Sequence, residues 1–137
     1  MDKKKFLYAY VNKRMLAVLA TIGPDQVPEA AVMEFGQTKN LELIFDTLNT
    51  TRKYANLKRN PKTAFVIGWE EGTTVQYEGI AKELVGGELA TYKKIMFGKN
   101  PAFAKWKNLP GMTYFKVTPR WIRYSAMNQS PWEITFP

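Results

Sequence analysis

The side chains best suited to chemistry in this sequence are the hydroxyls and cations at positions 50–53. Thr50, Thr51, Arg52 and Lys53 follow one another at the start of a segment with helical spacing. A helix start exposes unpaired backbone N–H groups and the positive end of the helix dipole. Cations there oppose the dipole, whereas an anion is attracted, and arginine bonds a phosphate through two N–H groups. A solvated polar first turn explains the same residues and is common, so both interpretations stay open at this point.

The absence of histidine and cysteine limits the chemistry that the chain can perform. It excludes the Ser-His-Asp arrangement, most zinc sites, a disulfide framework and thiolate metal sites. A cofactor that brings its own reactivity fits such a chain best. Glu70 and Glu71 are predicted to lie in a hairpin turn in water, and Gly86–Gly87 lacks the context of a dinucleotide-binding loop. We therefore assign no catalytic residue and no metal site from the sequence.

The net charge of +8 is concentrated in the C-terminal third of the chain. Residues 1–88 contain twelve Lys and Arg against eleven Asp and Glu, whereas residues 89–137 contain eight against one. Such an excess suits a nucleic acid, an acidic small molecule or an acidic partner, and it also serves solubility. Neither a run of about 20 apolar residues nor a secretory signal is found, which together with the absence of cysteine predicts a cytoplasmic protein.

Hydrophobic periodicity predicts the elements that position these residues. Residues 2–13 and 50–60 have helical spacing, with Asn49 or Thr50 as the expected cap of the second helix and the Asn60–Pro61 pair as its end. Residues 15–22, 27–35 and 41–47 read as three strands of an antiparallel meander. Further strands are expected at 62–70, 74–84, 112–119 and 120–127, with Gly79 as a bulge or kink. Residues 87–108 are expected to be helical with a break near 98–101.

These elements indicate a single domain over residues 1–137. The predicted strands do not alternate with helices as they would in a parallel sheet. The pattern favours a mostly β protein, an antiparallel barrel of six to seven strands with helices packed outside it or across its ends. The tail at 128–137 is left without an assigned element, and its Trp132 is a candidate for covering a ligand or a second subunit.

The order and spacing of several motifs resemble the pyridoxamine 5'-phosphate oxidase-like family of flavin-binding split barrels, and in particular its small general-stress-protein-like members. The resemblance lies in "LAVLATIGPDQVPEAAVMEF", "LIFDTLNTTRKYANLKRNPKTAFVI" and "VQYEGIAKEL", and more weakly in "YFKVTPRWIRY". Together these segments cover most of residues 15–124. The central signature is a strand that ends in Thr, then Thr-Arg-Lys, a Leu, and an Asn-Pro pair before an apolar strand.

The resemblance implies a homodimer of split β-barrels with FMN at the subunit interface. Arg52 and Lys53 would hold the FMN phosphate, assisted by Thr51, while Asp46 and Thr47 would lie by the phosphate and ribityl chain. Val32 and Met33 would present backbone and side chain to the isoalloxazine ring, and Thr74 would make a polar contact with the ring. The second substrate would be a small molecule or a nicotinamide donor.

The sequence departs from the true oxidase, because the C-terminal Arg and His that grip its substrate are missing, as is its basic residue on the second strand. Oxidation of vitamin B6 is therefore not expected. Three functions follow for testing: an FMN-dependent oxidoreductase, a flavin-binding or redox-sensing module without turnover, and a nucleic-acid-binding barrel. The last is disfavoured, since only "RWIRY" interleaves Arg with aromatic residues. Haem or a deazaflavin in the same barrel is a further alternative.

Overall fold

The structure is a computed structural model that describes all residues 1–137. The helices are α1 (Lys3–Asn12), α2 (Arg52–Arg59) and α3 (Gly86–Lys99), with short 3-10 segments at Pro24–Gln26 and Pro101–Trp106. The strands are β1 (Leu16–Ile22), β2 (Pro28–Glu34), β3 (Gly36–Gln37), β4 (Leu43–Leu48), β5 (Lys62–Ile67), β6 (Thr73–Glu83), β7 (Met112–Ala126) and β8 (Gln129–Thr135).

The eight strands form one antiparallel sheet that curls into a split barrel, which confirms the predicted fold class. The strand order is β2-β1-β5-β6-β7-β4-β3, and β8 pairs with the second half of β7. The two ends of this order, β2 and β3, are separated in the chain by Phe35 alone. One bent segment therefore supplies both edges of the sheet and brings them together.

The barrel interior is filled by alternate residues of each strand, as expected for a sheet with one face in the core. Ala17 and Leu19 of β1 are fully buried, whereas Leu16 on the opposite face is 44% exposed. Two helices close the barrel. Leu7, Tyr10 and Val11 of α1 and Leu57 of α2 belong to the same core cluster as the strand interiors. Contacts of Tyr10 with Thr73 and of Asn56 with Thr21 place α1 and α2 at opposite ends.

The outer surface of the barrel is covered unevenly. A second core cluster lies between α3, the 3-10 segment at 101–106 and the outer face of β4 and β7. It contains Ile44, Leu84, Met96, Phe103 and Tyr114. The outer face of β2, β1 and β5 has no comparable cover, because its apolar side chains remain accessible to solvent. Val32 is 62% exposed and Val66 is 37% exposed. Within one chain, this part of the outer surface therefore remains uncovered.

Several predicted elements differ from those observed. The meander is wrong in its last step, because β4 pairs with β7 along its whole length rather than with β2. The strands expected at 112–119 and 120–127 are one continuous strand, β7. The tail, for which the sequence predicts no element, forms β8. Its Trp132 packs against Phe6 and Tyr124 of its own chain. The cap of α2 is Thr51 rather than Asn49 or Thr50, since its hydroxyl accepts from the Tyr54 N–H.

The bulge predicted at Gly79 is confirmed, because the register of β6 against β7 shifts between Glu78 and Gly79. A Cβ atom at Gly79 would lie 2.6 Å from the Thr118 carbonyl oxygen and 2.6 Å from a methyl carbon of Val117. The obstacle is mainly backbone, which cannot rotate away. Glycine is therefore required where β7 crosses β6.

Gly79→Ala should lower the free energy of unfolding by about 1–3 kcal/mol, the usual cost of overpacking a tight interior site. Gly87→Ala is the matched control, because no atom lies within 4 Å of a Cβ built there. Urea unfolding of both variants measures the difference. Equal stability of the two variants would contradict the packing of β7 on Gly79.

Candidate functional site

The main candidate site is the gap between β2 and β4, which we call the split. These strands approach within 8 Å between Cα atoms, yet no backbone ladder joins them. Residues 28–34 pair with β1 on one side only, and β4 pairs with β3 only through Leu43 and Ile44. Alternate peptide groups along both facing edges therefore lack strand partners. Such edges present both donors and acceptors to a bound molecule.

One end of the split is formed by the start of α2. Thr51 caps the helix, and its hydroxyl also donates to the Leu48 carbonyl oxygen at 2.9 Å. The Thr47 hydroxyl lies 2.8 Å from the Thr51 hydroxyl. Because the Thr51 proton is engaged with Leu48, Thr47 is the donor in this pair. The two threonines thus fix the strand end to the helix start.

The first turn of α2 retains free hydrogen-bond donors. The backbone N–H groups of Arg52 and Lys53 have no acceptor within the chain, and the Lys53 ammonium forms no ion pair. Arg52 differs, because its guanidinium is paired with Glu29. Two amides and one free cation therefore point to an anion at this end of the split. This geometry favours the anion-site interpretation over a merely solvated turn.

Glu29 is a component of the site that sequence reasoning missed. Its carboxylate accepts bonds from Arg52 and, at 2.9 Å, from the Asn56 amide. These bonds hold the pKa of Glu29 below its usual value, with Arg52 the larger cause and Asn56 the second. The only signal in the sequence is an acidic residue on the second strand where the resembling oxidase is basic. Nothing in the spacing predicts that it meets a helix 23 residues later.

Asp46 occupies the outer side of β4 beside the split. Burial, and to a smaller extent the nearby Glu34 carboxylate, raise the pKa of Asp46 to about 6. Its neighbour across the ladder, Tyr114, has a buried hydroxyl without a partner. Burial, with a contribution from Asp46, raises the pKa of that hydroxyl to about 12. Asp46 is thus a partly desolvated carboxylate whose pKa lies above that of an exposed aspartate.

The two predicted ring contacts on β2 face opposite ways. The side chain of Val32 is 62% exposed on the outer surface, whereas that of Met33 is 8% exposed and packs in the barrel core. Met33 can therefore offer its backbone to a ligand in the split, while Val32 can offer its side chain. The alternation is that of any strand with one buried face.

Thr74 is not brought to the split within one chain. It is the second residue of β6, opposite Ser125, at the end of the barrel closed by α1 and far from α2. A cavity of about 840 Å³ lies at this same end, lined by α1, the segment that follows it, the β5–β6 turn and the start of β6, including Arg14, Trp69 and Thr73. The other predicted site residues, which are Val32, Met33, Asp46, Thr47, Thr51, Arg52 and Lys53, do surround the split.

The chain belongs to the pyridoxamine 5'-phosphate oxidase family, whose sequence model matches residues 4–126. The match begins in α1 and ends at the last residue of β7, so it includes every strand that borders the split. No curated protein matches the sequence. No helix of the structure has the length and apolar character needed to cross a membrane.

Solved structures share the fold at low sequence identity. General stress protein 26 from Bacillus anthracis str. Sterne is 20% identical, with a TM-score of 0.75, over 98% of this chain and 100% of that one. A heme storage protein from Vibrio cholerae is 15% identical, with a TM-score of 0.72, over 93% and 91%. A heme binding protein from Mycobacterium smegmatis is 15% identical, with a TM-score of 0.86. This chain is covered to 98% in that last comparison but spans only 58% of the longer protein. At such identities the likeness shows the fold alone.

Asp46→Asn should change the pH dependence of stability. The raised pKa means that folded Asp46 binds its proton more tightly than the unfolded chain does, so its burial costs stability above about pH 6 and not below about pH 4. The variant's free energy of unfolding, relative to the parent's, should rise by about 1–2 kcal/mol between pH 4 and pH 7, after allowance for partial exposure.

Urea unfolding at several pH values measures this difference. Asp25→Asn, in the exposed turn before β2, is the control for loss of one carboxylate. A constant difference between Asp46→Asn and the parent across this pH range would show that Asp46 is not desolvated.

Proposed function

We propose that this protein is an FMN-binding flavoprotein that transfers hydride or electrons between its cofactor and a small molecule. The observation that carries the proposal is the arrangement at the α2 end of the split. There, two free backbone amides and the unpaired ammonium of Lys53 open onto two strand edges without partners. A phosphate joined to a flat polar ring suits both parts of this arrangement.

The phosphate would be held at the start of α2. The Arg52 and Lys53 amides donate to it, the Lys53 ammonium supplies a full charge, and Arg52 is available once released from Glu29. Hydrogen bonds that involve a charged group are each worth about 1.5–3 kcal/mol. Three such bonds approach the ~8 kcal/mol that micromolar affinity requires, before the loss of ligand freedom is subtracted. Thr47 and Thr51 keep the helix start in place.

The ring would lie along the split against β2. Backbone groups of Val32 and Met33 face it, and the exposed Val32 side chain covers it from one side. Asp46 lies near the ribityl chain, whose hydroxyls donate to a carboxylate. The chain's residues thus bind, orient and shield the cofactor. When bound, FMN supplies the hydride and electron transfer chemistry, and no side chain of the protein is assigned a catalytic role.

A homodimer would complete this site. The uncovered outer face of β2, β1 and β5 contains Leu16, Val32 and Val66, and burying apolar surface of this kind drives stable association. When two such faces meet about a two-fold axis perpendicular to the strands, the strands of the two protomers run in opposite directions. The Thr74 end of one protomer then lies over the α2 end of the other. This arrangement accounts for Thr74 as a ring contact from the partner.

A sensor or carrier that binds flavin without turnover uses the same contacts. An activity assay distinguishes the two functions. An oxidoreductase reconstituted with FMN oxidises NADH or reduces a small acceptor at a steady rate, whereas a sensor does not. The nicotinamide or other small molecule would approach the exposed side of the ring.

Haem is a second candidate ligand, because two of the structurally similar proteins are described as heme-binding or heme-storage proteins. Haem iron in proteins is held by His, Cys, Met or Tyr. This chain has no His or Cys, so only Met or Tyr remains. The absorbance spectrum of the purified protein, with haem or FMN added, distinguishes the two ligands directly.

Lys53→Ala should weaken FMN binding by about tenfold or more, since it removes one charge-assisted bond to the phosphate. Titration of the apoprotein, followed by quenching of flavin fluorescence, gives the dissociation constant. Riboflavin, which lacks the phosphate, should bind both proteins equally. Lys58→Ala removes a cation from the other end of α2 and is the control. A protein that binds neither FMN nor riboflavin would refute the proposed function.

Val66→Glu should produce a monomer, because a carboxylate buried between two apolar faces costs several kcal/mol. Light scattering coupled to gel filtration measures the mass. The variant should also bind FMN more weakly, although Val66 lies on β5 and away from the split within its own chain. Val85→Glu, at an exposed position before α3, should leave both properties unchanged. A dimeric Val66→Glu variant would place the interface elsewhere.

A further inference from the structure

The strongest unexplained feature of the site is the carboxylate of Glu29 beside the proposed phosphate position. Glu29 accepts from Nε of Arg52 at 3.3 Å through one oxygen and from a terminal guanidinium nitrogen through the other. The pair is therefore two-pronged, which is the same geometry with which arginine grips a phosphate. The Arg52 side chain is 74% exposed, so it is free to adopt other positions.

The carboxylate is held in place by the fold. The Asn56 side chain is almost fully buried, and its Nδ2 group donates to Glu29 at 2.9 Å and to the Thr21 hydroxyl at 3.0 Å. The Asn56 carbonyl oxygen in turn accepts from Arg59 at 2.9 Å. Every polar atom of the Asn56 side chain is thus engaged, which fixes the direction of its bond to Glu29.

The backbone also makes room for this carboxylate. A Cβ atom at Gly23 would lie 2.8 Å from the Val27 carbonyl oxygen and 2.9 Å from both the carboxyl carbon and one oxygen of Glu29. The turn that precedes β2 therefore contains glycine because a side chain there would clash with the Val27 backbone and with the Glu29 carboxylate. Glu29 is consequently a fixed anion next to a mobile cation.

We infer that Glu29 is an internal counter-anion of the phosphate site, which competes with a ligand phosphate for Arg52 and thereby sets the affinity for phosphorylated flavin. The inference rests on the proposed function. A dianionic phosphate at the α2 start is repelled by the fixed carboxylate and competes with it for the charge of Arg52. The free form of the site consequently presents Lys53 as its available cation.

The opposite role, in which Glu29 holds Arg52 in position for phosphate, fits the contacts less well. Both oxygens of Glu29 occupy the Nε–Nη2 edge of the guanidinium, so a phosphate cannot bind that edge at the same time. The Nη1–Nη2 edge stays free, but a phosphate bound there would lie beside a carboxylate of like charge. A positioning carboxylate would make Glu29→Gln a poorer binder, whereas a competing carboxylate makes it a better one.

The test compares FMN and riboflavin binding to Glu29→Gln, Glu29→Ala and the parent protein at fixed ionic strength. Both variants should bind FMN about five- to tenfold more tightly, the size expected from releasing an exposed ion pair and removing one like charge. Riboflavin affinity should not change. Glu29→Ala is included as a second variant in case Glu29→Gln does not fold. The bond of Asn56 to Thr21 does not involve Glu29 and remains in both variants.

The matched control is Glu83→Gln, which breaks the Lys58–Glu83 ion pair at the other end of the same helix. Its FMN affinity should equal that of the parent. Unchanged or weaker FMN binding by folded Glu29 variants would overturn the inference, as would an equal gain for riboflavin.

Inorganic phosphate separates this inference from the proposed function. If no form of the protein binds FMN, the proposed function fails, and phosphate is then titrated against the backbone amide NMR signals of Thr51, Arg52 and Lys53. A lower half-saturating phosphate concentration in Glu29→Gln supports the competing role of Glu29. Equal, weaker or undetectable binding in that variant overturns it.

Discussion

The closure of the barrel at Phe35 is the constraint on which the rest of the structure depends. Only Gly36 and Gln37 pair with β4 there, and the Lys99 side chain joins this short ladder to two helices. Its ammonium donates to Gln37 at 2.6 Å and to the Val11 carbonyl oxygen at 3.3 Å, and lies 3.6 Å from the centre of the Phe35 ring. Burial lowers the pKa of Lys99 to about 7. A contact of this kind secures the closure although the ladder itself is short.

The split is a direct consequence of that closure. At Gly36, a Cβ atom would lie 2.8 Å from the Met96 Cα, so the backbone of α3 packs directly on the ladder. The bend at Phe35 ends the pairing there, and β2 diverges from β4 as it runs back towards Pro28. Two strand edges without partners therefore face each other above the start of α2. The candidate site is thus a feature of how the barrel closes, and it needs no separate domain or inserted loop.

Most of the fold could be predicted from the sequence, and the misses share one cause. Period-two alternation and turn residues locate nearly every strand, and the Asn60–Pro61 pair ends α2 as expected. The pairing of β4 with β7 was not predictable, since it joins residues more than 60 positions apart. The strand formed by the tail was missed because Pro131 and its polar neighbours resemble a loop. Local patterns indicate which segments are extended but do not indicate their partners.

The candidate site was predictable in residue type, but its charge balance was not. Thr51, Arg52 and Lys53 are consecutive in the sequence, whereas Glu29 is brought to them only by the fold. The carboxylates of Glu29 and Asp46 lie beside the split. They affect ligand binding differently from a pocket that contains only cations. Carboxylates accept hydrogen bonds from the hydroxyls of a ribityl chain, whereas they repel the two propionate groups of haem. For the proposed flavin ligand, these acids would accept bonds from the ribityl hydroxyls and repel its single phosphate, which would therefore lie on the Lys53 side of the helix start.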